Sequence, residues 1–173
     1  MRDFLITHQT QPTPISCMTT CLAMLVHTHA APFVEEWHKC YYMKGPDNPH
    51  SMELRQILDK LELDYQTYES IDETGMGAEG VYLLAVPSLN IRGGTHAILA
   101  EFVYYDKPDE DGNTCEWSLF DPARGRDGRW AYTNGQGDDE QLLFPLESYD
   151  LLAYFTRDSI LHARRQYHKA LQA

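Results

Sequence analysis

Basic side chains are scarce in this sequence of 173 residues. It contains 14 Lys and Arg against 26 Asp and Glu, so its formal net charge is −12. A surface of that sign repels phosphate groups, which argues against a nucleic acid or an anionic membrane as partner. The same charge tolerates a basic substrate. We therefore expect a peptide or protein partner and no nucleic acid; the oligomeric state is left open.

Long apolar runs and frequent cysteines are also missing. No stretch approaches the ~20 apolar residues of a membrane-spanning helix, so we expect no membrane insertion. The opening MRDFLITHQT carries Asp3 and no apolar run, so we expect no signal peptide. The cysteines are four: Cys17, Cys21, Cys40 and Cys115. Without an export signal they are predicted to be free thiols in the reducing cytoplasm.

Helical patterns come first in the chain and strand patterns follow. Ser16 is the expected N-cap of an apolar helix over residues 17–26, and a second helix is predicted at roughly 32–43. Ser51 is expected to cap a third helix and Asp158 a closing one. Between them the strand predictions are LDYQTYE, GVYLLAVPSL, THAILAEFVYYD, TCEWSLFD and YDLLAYFT, with a long surface loop at 122–140. This order predicts a single α+β domain, residues 1–173.

Cys17 stands at the predicted start of the first helix. The unpartnered N–H groups and partial positive charge of a helix N-terminus favour a thiolate, which is the nucleophilic form of cysteine. The alternative is a buried structural cysteine, the commoner role in an apolar helix. Cys21, one turn deeper, fits that structural role better. Cys17 is therefore the candidate nucleophile.

His96 is the candidate base for such a thiol. Most other histidines, His8 among them, lie in polar segments, whereas His96 opens a strongly apolar strand directly after Gly93 and Gly94. If this strand forms a hairpin with TCEWSLFD, a turn centred between Pro108 and Asp109 would place Asp121 opposite His96. The polar loop itself is centred between Asp109 and Glu110, one residue later. We expect Asp121 to orient the His96 imidazole.

An oxyanion formed at Cys17 would also need hydrogen-bond donors. Gln11, on a segment stiffened by proline, offers a side-chain amide six residues before the thiol, and the Cys17 backbone N–H is a second donor. Gln9 is an alternative to Gln11.

These motifs, taken in order, resemble the papain-like cysteine peptidases, and among them the bacteriocin-processing peptidases that remove double-glycine leaders. The matching features are a Gln six residues before the Cys, a following helix that reads CLAM, a Ser-led helix and short strand, a proline-containing strand leading to the His in AVPSLNIRGGTHAIL, and the Asp-Pro of LFDPARG. The resemblance covers about residues 9–125. Residues 126–173 form a C-terminal extension of loop, strand and helix.

The resemblance implies a papain-like fold, with a buried N-terminal helix packed against an antiparallel sheet. It further implies a cysteine peptidase in which Cys17 is the nucleophile, His96 the base, Asp121 the orienting acid and Gln11 the oxyanion donor, with no cofactor or metal. The family usually has Asp and Gly beside its Cys, where this chain has Ser16 and Met18.

Other functions remain open at this point. An amidase, a deubiquitinase-like enzyme or an acyl transferase would use the same residues, and a catalytically inactive binding module could keep the same fold. A zinc site built from Cys17, Cys21 and His27 or His29 is disfavoured, because structural zinc ligands usually lie on turns and not along one apolar helix.

Overall fold

The computed structural model describes residues 3–42, 52–67, 77–135, 137–138, 140 and 142–173. Within these residues three helices precede the strands and a fourth follows them, as the sequence predicts. The elements are α1 (Cys17–Val26), α2 (Ala30–Tyr42), α3 (Leu54–Lys60), β1 (Gly80–Pro87), β2 (Thr95–Tyr104), β3 (Cys115–Phe120), β4 (Ala131–Thr133), β5 (Leu143–Pro145), β6 (Asp150–Phe155) and α4 (Arg157–Leu171).

The main sheet has four antiparallel strands in the order β3-β2-β1-β6. Strands β1 and β2 are joined by a turn in which Gly93 has a φ of +71°, a conformation that glycine adopts without strain. The short strands β4 and β5 pair in parallel as a separate ribbon. The predicted α+β class is thus confirmed.

Each face of the main sheet is covered by a separate apolar cluster. Leu83 and Leu99 point toward α1, all ten residues of which are buried, and toward Ile160 of α4. Tyr82 and Ile98 point to the opposite face and pack with Tyr132 of β4. Because α1 is apolar on nearly all sides, it is buried along its whole length, and its first residue, Cys17, reaches the end of the sheet from inside the core.

Of the predicted caps of α1 and α4, the first is at the expected residue and the second is not. Ser16 is the N-cap residue of α1, as predicted, but its hydroxyl bonds the backbone of Thr13 and makes no side-chain cap. Helix α4 is capped by Thr156, whose side chain accepts from the N–H of Ser159, while Asp158 lies within the first turn. Thr156 precedes the first helical residue, so its hydroxyl can reach the free N–H of Ser159, whereas Asp158 already lies inside the helix.

The second and third helices also begin at other residues than expected. Helix α2 starts at Ala30, two residues before the prediction. Helix α3 starts at Leu54 after a capping box between Glu53 and Gln56. Ser51, the predicted cap, lies outside the described residues.

Two of the predicted strand and loop segments need correction. The segment LDYQTYE contributes a single bridge, from Gln66 to Tyr154, and its last two residues lie outside the described part. The segment 122–140 is not all surface loop, since it contains β4, where Ala131 and Tyr132 are buried.

Buried charged groups tie the chain ends to this framework. Glu101, in β2, is 1% exposed and accepts from the N–H groups of Leu5 (2.7 Å) and Ile6 (2.9 Å). Burial raises the pKa of Glu101, an effect that these two hydrogen bonds oppose. Arg164 of α4 donates to the carbonyls of Leu25 (2.8 Å), Leu5 (2.9 Å) and Met24 (3.1 Å). One guanidinium thereby satisfies the C-terminal carbonyls of α1 and fastens the N-terminal segment.

Replacing Arg164 by Ala should lower the free energy of unfolding by about 2 kcal/mol, because the substitution removes three charge-assisted hydrogen bonds to partly buried carbonyls. Arg165→Ala is the matched control, since Arg165 is exposed. Urea denaturation of both variants measures the difference. Equal stabilities would contradict the role given to Arg164.

Candidate active site

The sulfur-bearing residue Cys17 lies at the N-terminus of α1 and lines a crevice of about 170 Å³. Gln11 and His96 line the same crevice. Cys17 is only 5% exposed, and the crevice gives its side chain a route to the surface. The fold therefore brings His96 to the same opening as Gln11 and Cys17, from which it is far away in the sequence.

His96 and Asp121 are in direct contact, with 2.6 Å between the imidazole Nε2 and the carboxylate Oδ1. The sequence prediction of this pair is correct, but its directly opposed register is not. Leu99 faces Phe120 and Tyr104 faces Cys115, which matches the turn centred between Asp109 and Glu110. Asp121 therefore falls one step beyond the last pair and lies diagonally across from His96. Diagonal neighbours share a face of the sheet, and a histidine is long enough to reach its partner.

The Asp121 carboxylate is almost fully buried, at 1% exposure, and its oxygens accept three hydrogen bonds. Oδ1 accepts from His96 and from the N–H of Ala123 (2.8 Å), and Oδ2 accepts from the N–H of Tyr132 (2.7 Å). Hydrogen bonds to the ionised form offset the cost of burying a charge. The carboxylate is thus held in one orientation, with His96 as its side-chain partner.

The imidazole of His96 is held in its protonated form. Burial by itself would lower the pKa of His96, but hydrogen bonds to Asp121 and Cys17, together with the negative charge of both groups, raise it from 6.5 to about 9. Since Nε2 is bonded to Asp121, the bond to Cys17 uses the other ring nitrogen, Nδ1. The protonated imidazole thus lies between the Asp121 carboxylate and Cys17.

Cys21, one helical turn below Cys17, behaves as the structural cysteine that the sequence predicts. It is fully buried, and burial followed by the negative charges of Cys17 and Asp121 raises the pKa of its thiol. Two cysteines four residues apart therefore lie in different surroundings, one lining the crevice and the other fully buried in the core.

The N-terminal arm, residues 8–11, runs along the segment that follows β3. The His8 ring donates to the carbonyl of Asp121 (2.8 Å), the N–H of Gln11 donates to that of Pro122 (2.8 Å), and the Thr10 hydroxyl donates to that of Arg124 (2.8 Å). We call these three bonds the arm seam. They fix the main chain of Gln11 beside Asp121.

Gly125 allows the arm seam to close. A Cβ atom at position 125 would come within 2.7 Å of the Thr10 hydroxyl oxygen, and the φ of +89° at this position is one that other residues rarely adopt. Thr10 and Gly125 are therefore in a contact that only glycine permits.

The choice between Gln9 and Gln11 is decided by their positions. The Gln9 side chain donates to the carbonyl of Thr28 (2.6 Å) and accepts from the N–H of Ala30 (2.7 Å), so it fastens the turn between α1 and α2. The Gln11 side chain is buried beside the crevice and donates through Nε2 to the carbonyl of Thr13 (2.7 Å). One N–H of the Gln11 amide then remains to serve a substrate oxygen.

Three residues near the site have no place in the sequence prediction. His8 was expected to be a surface residue but is part of the arm seam, and Arg126 and Arg129 line the crevice although 122–140 was expected to be surface loop. The signal for the arginines was present in DPARGRDGR, where three arginines directly follow the candidate acid. Nothing local to His8 distinguishes it from an exposed histidine.

The disfavoured zinc site does not assemble. Cys17 and His27 lie at opposite ends of α1, a ten-residue helix of about 15 Å. Among the described residues, no three His, Cys, Asp or Glu side chains are grouped so that they could hold a metal ion.

Comparison of the chain with protein-family models, with curated proteins and with solved structures finds no match. Across the described residues, no helix has both the length and the apolar character needed to cross a membrane.

We expect His96 to remain protonated through neutral pH, with a pKa of about 9 measured by NMR of its ring nitrogens. Because this pKa lies above the unfolded value of 6.5, protonation stabilises the folded chain. That contribution is complete below pH 6.5 and is lost as the pH rises through about 9. Both Cys17→Ala and Asp121→Asn should lower the pKa, since each removes an anion beside the ring. If Asp121→Asn fails to fold, Cys17→Ala alone tests the prediction. An unchanged pKa of His96 in Cys17→Ala would refute the ion pair between the two residues.

Proposed function

We propose that this protein is a cysteine peptidase of the papain-like fold that hydrolyses a peptide or isopeptide bond. The supporting observation is the convergence of Cys17 and His96 at one crevice, with the imidazole in contact with Cys17 and with the buried carboxylate of Asp121. The resemblance of residues 9–125 to bacteriocin-processing peptidases points to the same chemistry. Cys17 is the first residue of a helix and His96 lies at the start of a strand, so regular secondary structure fixes the position of both side chains.

In the first step the Cys17 thiolate attacks the carbonyl carbon of the scissile amide. The oxygen becomes an oxyanion, which accepts hydrogen bonds from the side-chain amide of Gln11 and the backbone N–H of Cys17. His96 then gives its Nδ1 proton to the amide nitrogen, the C–N bond breaks, and the amine leaves. The product on the enzyme is a thioester of Cys17.

In the second step the neutral His96 takes a proton from water, and the hydroxide attacks the thioester. The carboxylic acid product leaves and the thiolate–imidazolium pair is restored. Asp121 keeps the ring oriented through both steps, because its three hydrogen bonds hold the carboxylate in place. The cycle requires no cofactor.

The rim of the crevice suits an extended peptide. Ile15 and Ile91 are half exposed at its edge, at 50% and 51%, and Pro14 lies beside them. Exposed apolar side chains at the mouth of a polar crevice are a common feature of sites that bind protein chains. The bound chain would cover them while its carbonyl meets Cys17.

Incubation of the protein with a peptide library should give Cys17-dependent cleavage products that mass spectrometry detects, and none with Cys17→Ala. In the same samples, iodoacetamide at pH 6 should alkylate Cys17 at least ~10-fold faster than Cys115, because thiolate and not thiol is the reacting form. His96→Ala should remove most of this difference.

Slow and equal alkylation of the cysteines would refute the activated thiol and favour a binding module without catalysis. Transfer of the acyl group to an added amine, seen as a different product mass, would favour a transferase over a hydrolase on the same thioester. Cleavage that persists in Cys17→Ala would exclude the mechanism.

Gln11→Ala should lower kcat by about 10²–10³-fold with little change in KM, because the lost donor acts on the oxyanion of the transition state. Alkylation by iodoacetamide forms no oxyanion, so its rate at Cys17 should stay within about twofold of the wild type in this variant. Gln9→Ala, at the α1–α2 turn, is the matched control and should affect stability more than kcat. A Gln11→Ala enzyme with full kcat would exclude Gln11 as the oxyanion donor.

A further inference from the structure

The charge of the crevice is opposite to that of the molecule. The chain has a net charge of −12, yet its crevice is lined by Arg126 and Arg129 beside Cys17 and His96. No Asp or Glu is among the described residues that line it. A ligand entering this opening therefore meets two guanidinium groups next to the reacting sulfur.

The two arginines lie on a loop that is fixed at both ends, which we call the arginine loop (residues 122–129). At its start, the N–H of Arg124 donates to the carbonyl of Asp121 (3.0 Å). At its end, Trp130 exchanges two hydrogen bonds of 2.8 Å with the side chain of Asn90, which itself lines the crevice.

Successive turns form the interior of the arginine loop. The N–H of Arg126 donates to the carbonyl of Ala123, and the N–H of Arg129 to that of Arg126, each at 3.2 Å. Gly125 and Gly128 supply the positive φ values that such turns need. The arginines are therefore carried by an ordered backbone that is anchored to Asp121 at one end and to Asn90 at the other.

Neither guanidinium is neutralised within the described part of the chain. No carboxylate oxygen there lies within 4.0 Å of Arg126 or Arg129, and Asp127, the one acidic residue of the arginine loop, is exposed and outside the crevice lining. Arg126 is half-buried, so water screens its charge less than that of an exposed residue. A planar guanidinium matches a carboxylate through two parallel hydrogen bonds.

We propose that Arg126 and Arg129 select substrates that carry a carboxylate close to the bond that Cys17 attacks. The proposal rests on the proposed peptidase function and names its substrate class, an acidic peptide. The carboxylate can belong to an Asp or Glu side chain or to a peptide C-terminus, since both present the same two oxygens. The apolar rim at Ile15 and Ile91 contacts the neighbouring part of the peptide.

Iodoacetate and iodoacetamide test the charge of the crevice without any knowledge of the substrate. They react with the same thiolate and differ in one negative charge, so the ratio of their rates cancels the degree of thiolate formation. At Cys17 the rate with iodoacetate divided by the rate with iodoacetamide should exceed the same ratio for free N-acetylcysteine. Arg126→Gln/Arg129→Gln should lower this ratio by about five- to tenfold. Arg126→Lys/Arg129→Lys should keep most of the effect.

Arg92→Gln/Arg124→Gln is the matched control. It removes the same total charge from exposed residues that do not line the crevice, and should change the ratio by less than about twofold. If both double variants lower the ratio equally, the effect is one of overall charge and the proposal is overturned.

Protection of Cys17 from iodoacetamide then identifies the source of the carboxylate. Three versions of one short peptide are compared: Glu with an amidated C-terminus, Gln with a free C-terminus, and Gln with an amidated C-terminus. Protection by the first or the second alone, lost in Arg126→Gln/Arg129→Gln, assigns the carboxylate to a side chain or to a chain end. Equal protection by all three, or by none, would overturn the proposal.

The outcomes separate this proposal from the peptidase function. Fast, His96-dependent alkylation of Cys17 with a rate ratio unaffected by the arginines would leave the function standing and remove the specificity. Alkylation of Cys17 no faster than that of Cys115 would remove the function, and the ratio of the two slow rates at Cys17 would still report whether the crevice attracts an anion.

Discussion

One buried carboxylate determines the arrangement of the whole crevice. Asp121 is removed from water, so its charge must be met by fixed donors, and these are the His96 ring and the N–H groups of Ala123 and Tyr132. Each donor belongs to a different part of the fold: the start of β2, the arginine loop and β4. The requirement to satisfy one anion thus holds three segments in register, and the imidazole is one of them.

The same carboxylate also sets the charge state of the imidazole that lies between it and Cys17. Hydrogen bonds to Asp121 on one side and Cys17 on the other raise the pKa of His96 to about 9 in spite of burial, so the ring keeps its proton at neutral pH. The crevice is lined by His96, Arg126 and Arg129, which carry positive charge, whereas the molecule as a whole has a net charge of −12. Net charge alone suggested tolerance of basic substrates, whereas the two arginines that line the crevice are the ground for proposing an acidic one.

The sequence contained enough information for the α+β order of elements and for the positions of Cys17, Gln11, His96 and Asp121, because each has a local signal: a helix start, a strand start, a turn after a strand. The register of β2 on β3 followed from the centre of the polar loop. The alternative turn centre placed Asp121 opposite His96, whereas the observed register places Asp121 opposite residue 98, two positions further along β2. Local sequence patterns did not predict the roles of residues whose contacts are with distant parts of the chain. His8 and Arg164 act through carbonyls far away in the sequence, and Tyr132 is buried because Asp121 and Pro87 lie beside it.

The arm seam has a consequence for how such a protein can diverge. All three acceptors in it are main-chain carbonyls, so the side chains at 122 and 124 can change without displacing Gln11. Position 125 is the exception, because a single methyl group there would collide with Thr10. During evolution the crevice could therefore be retained while most residues around it are substituted. Glycine at position 125 would then be more strongly conserved among relatives than the charged residues on either side of it.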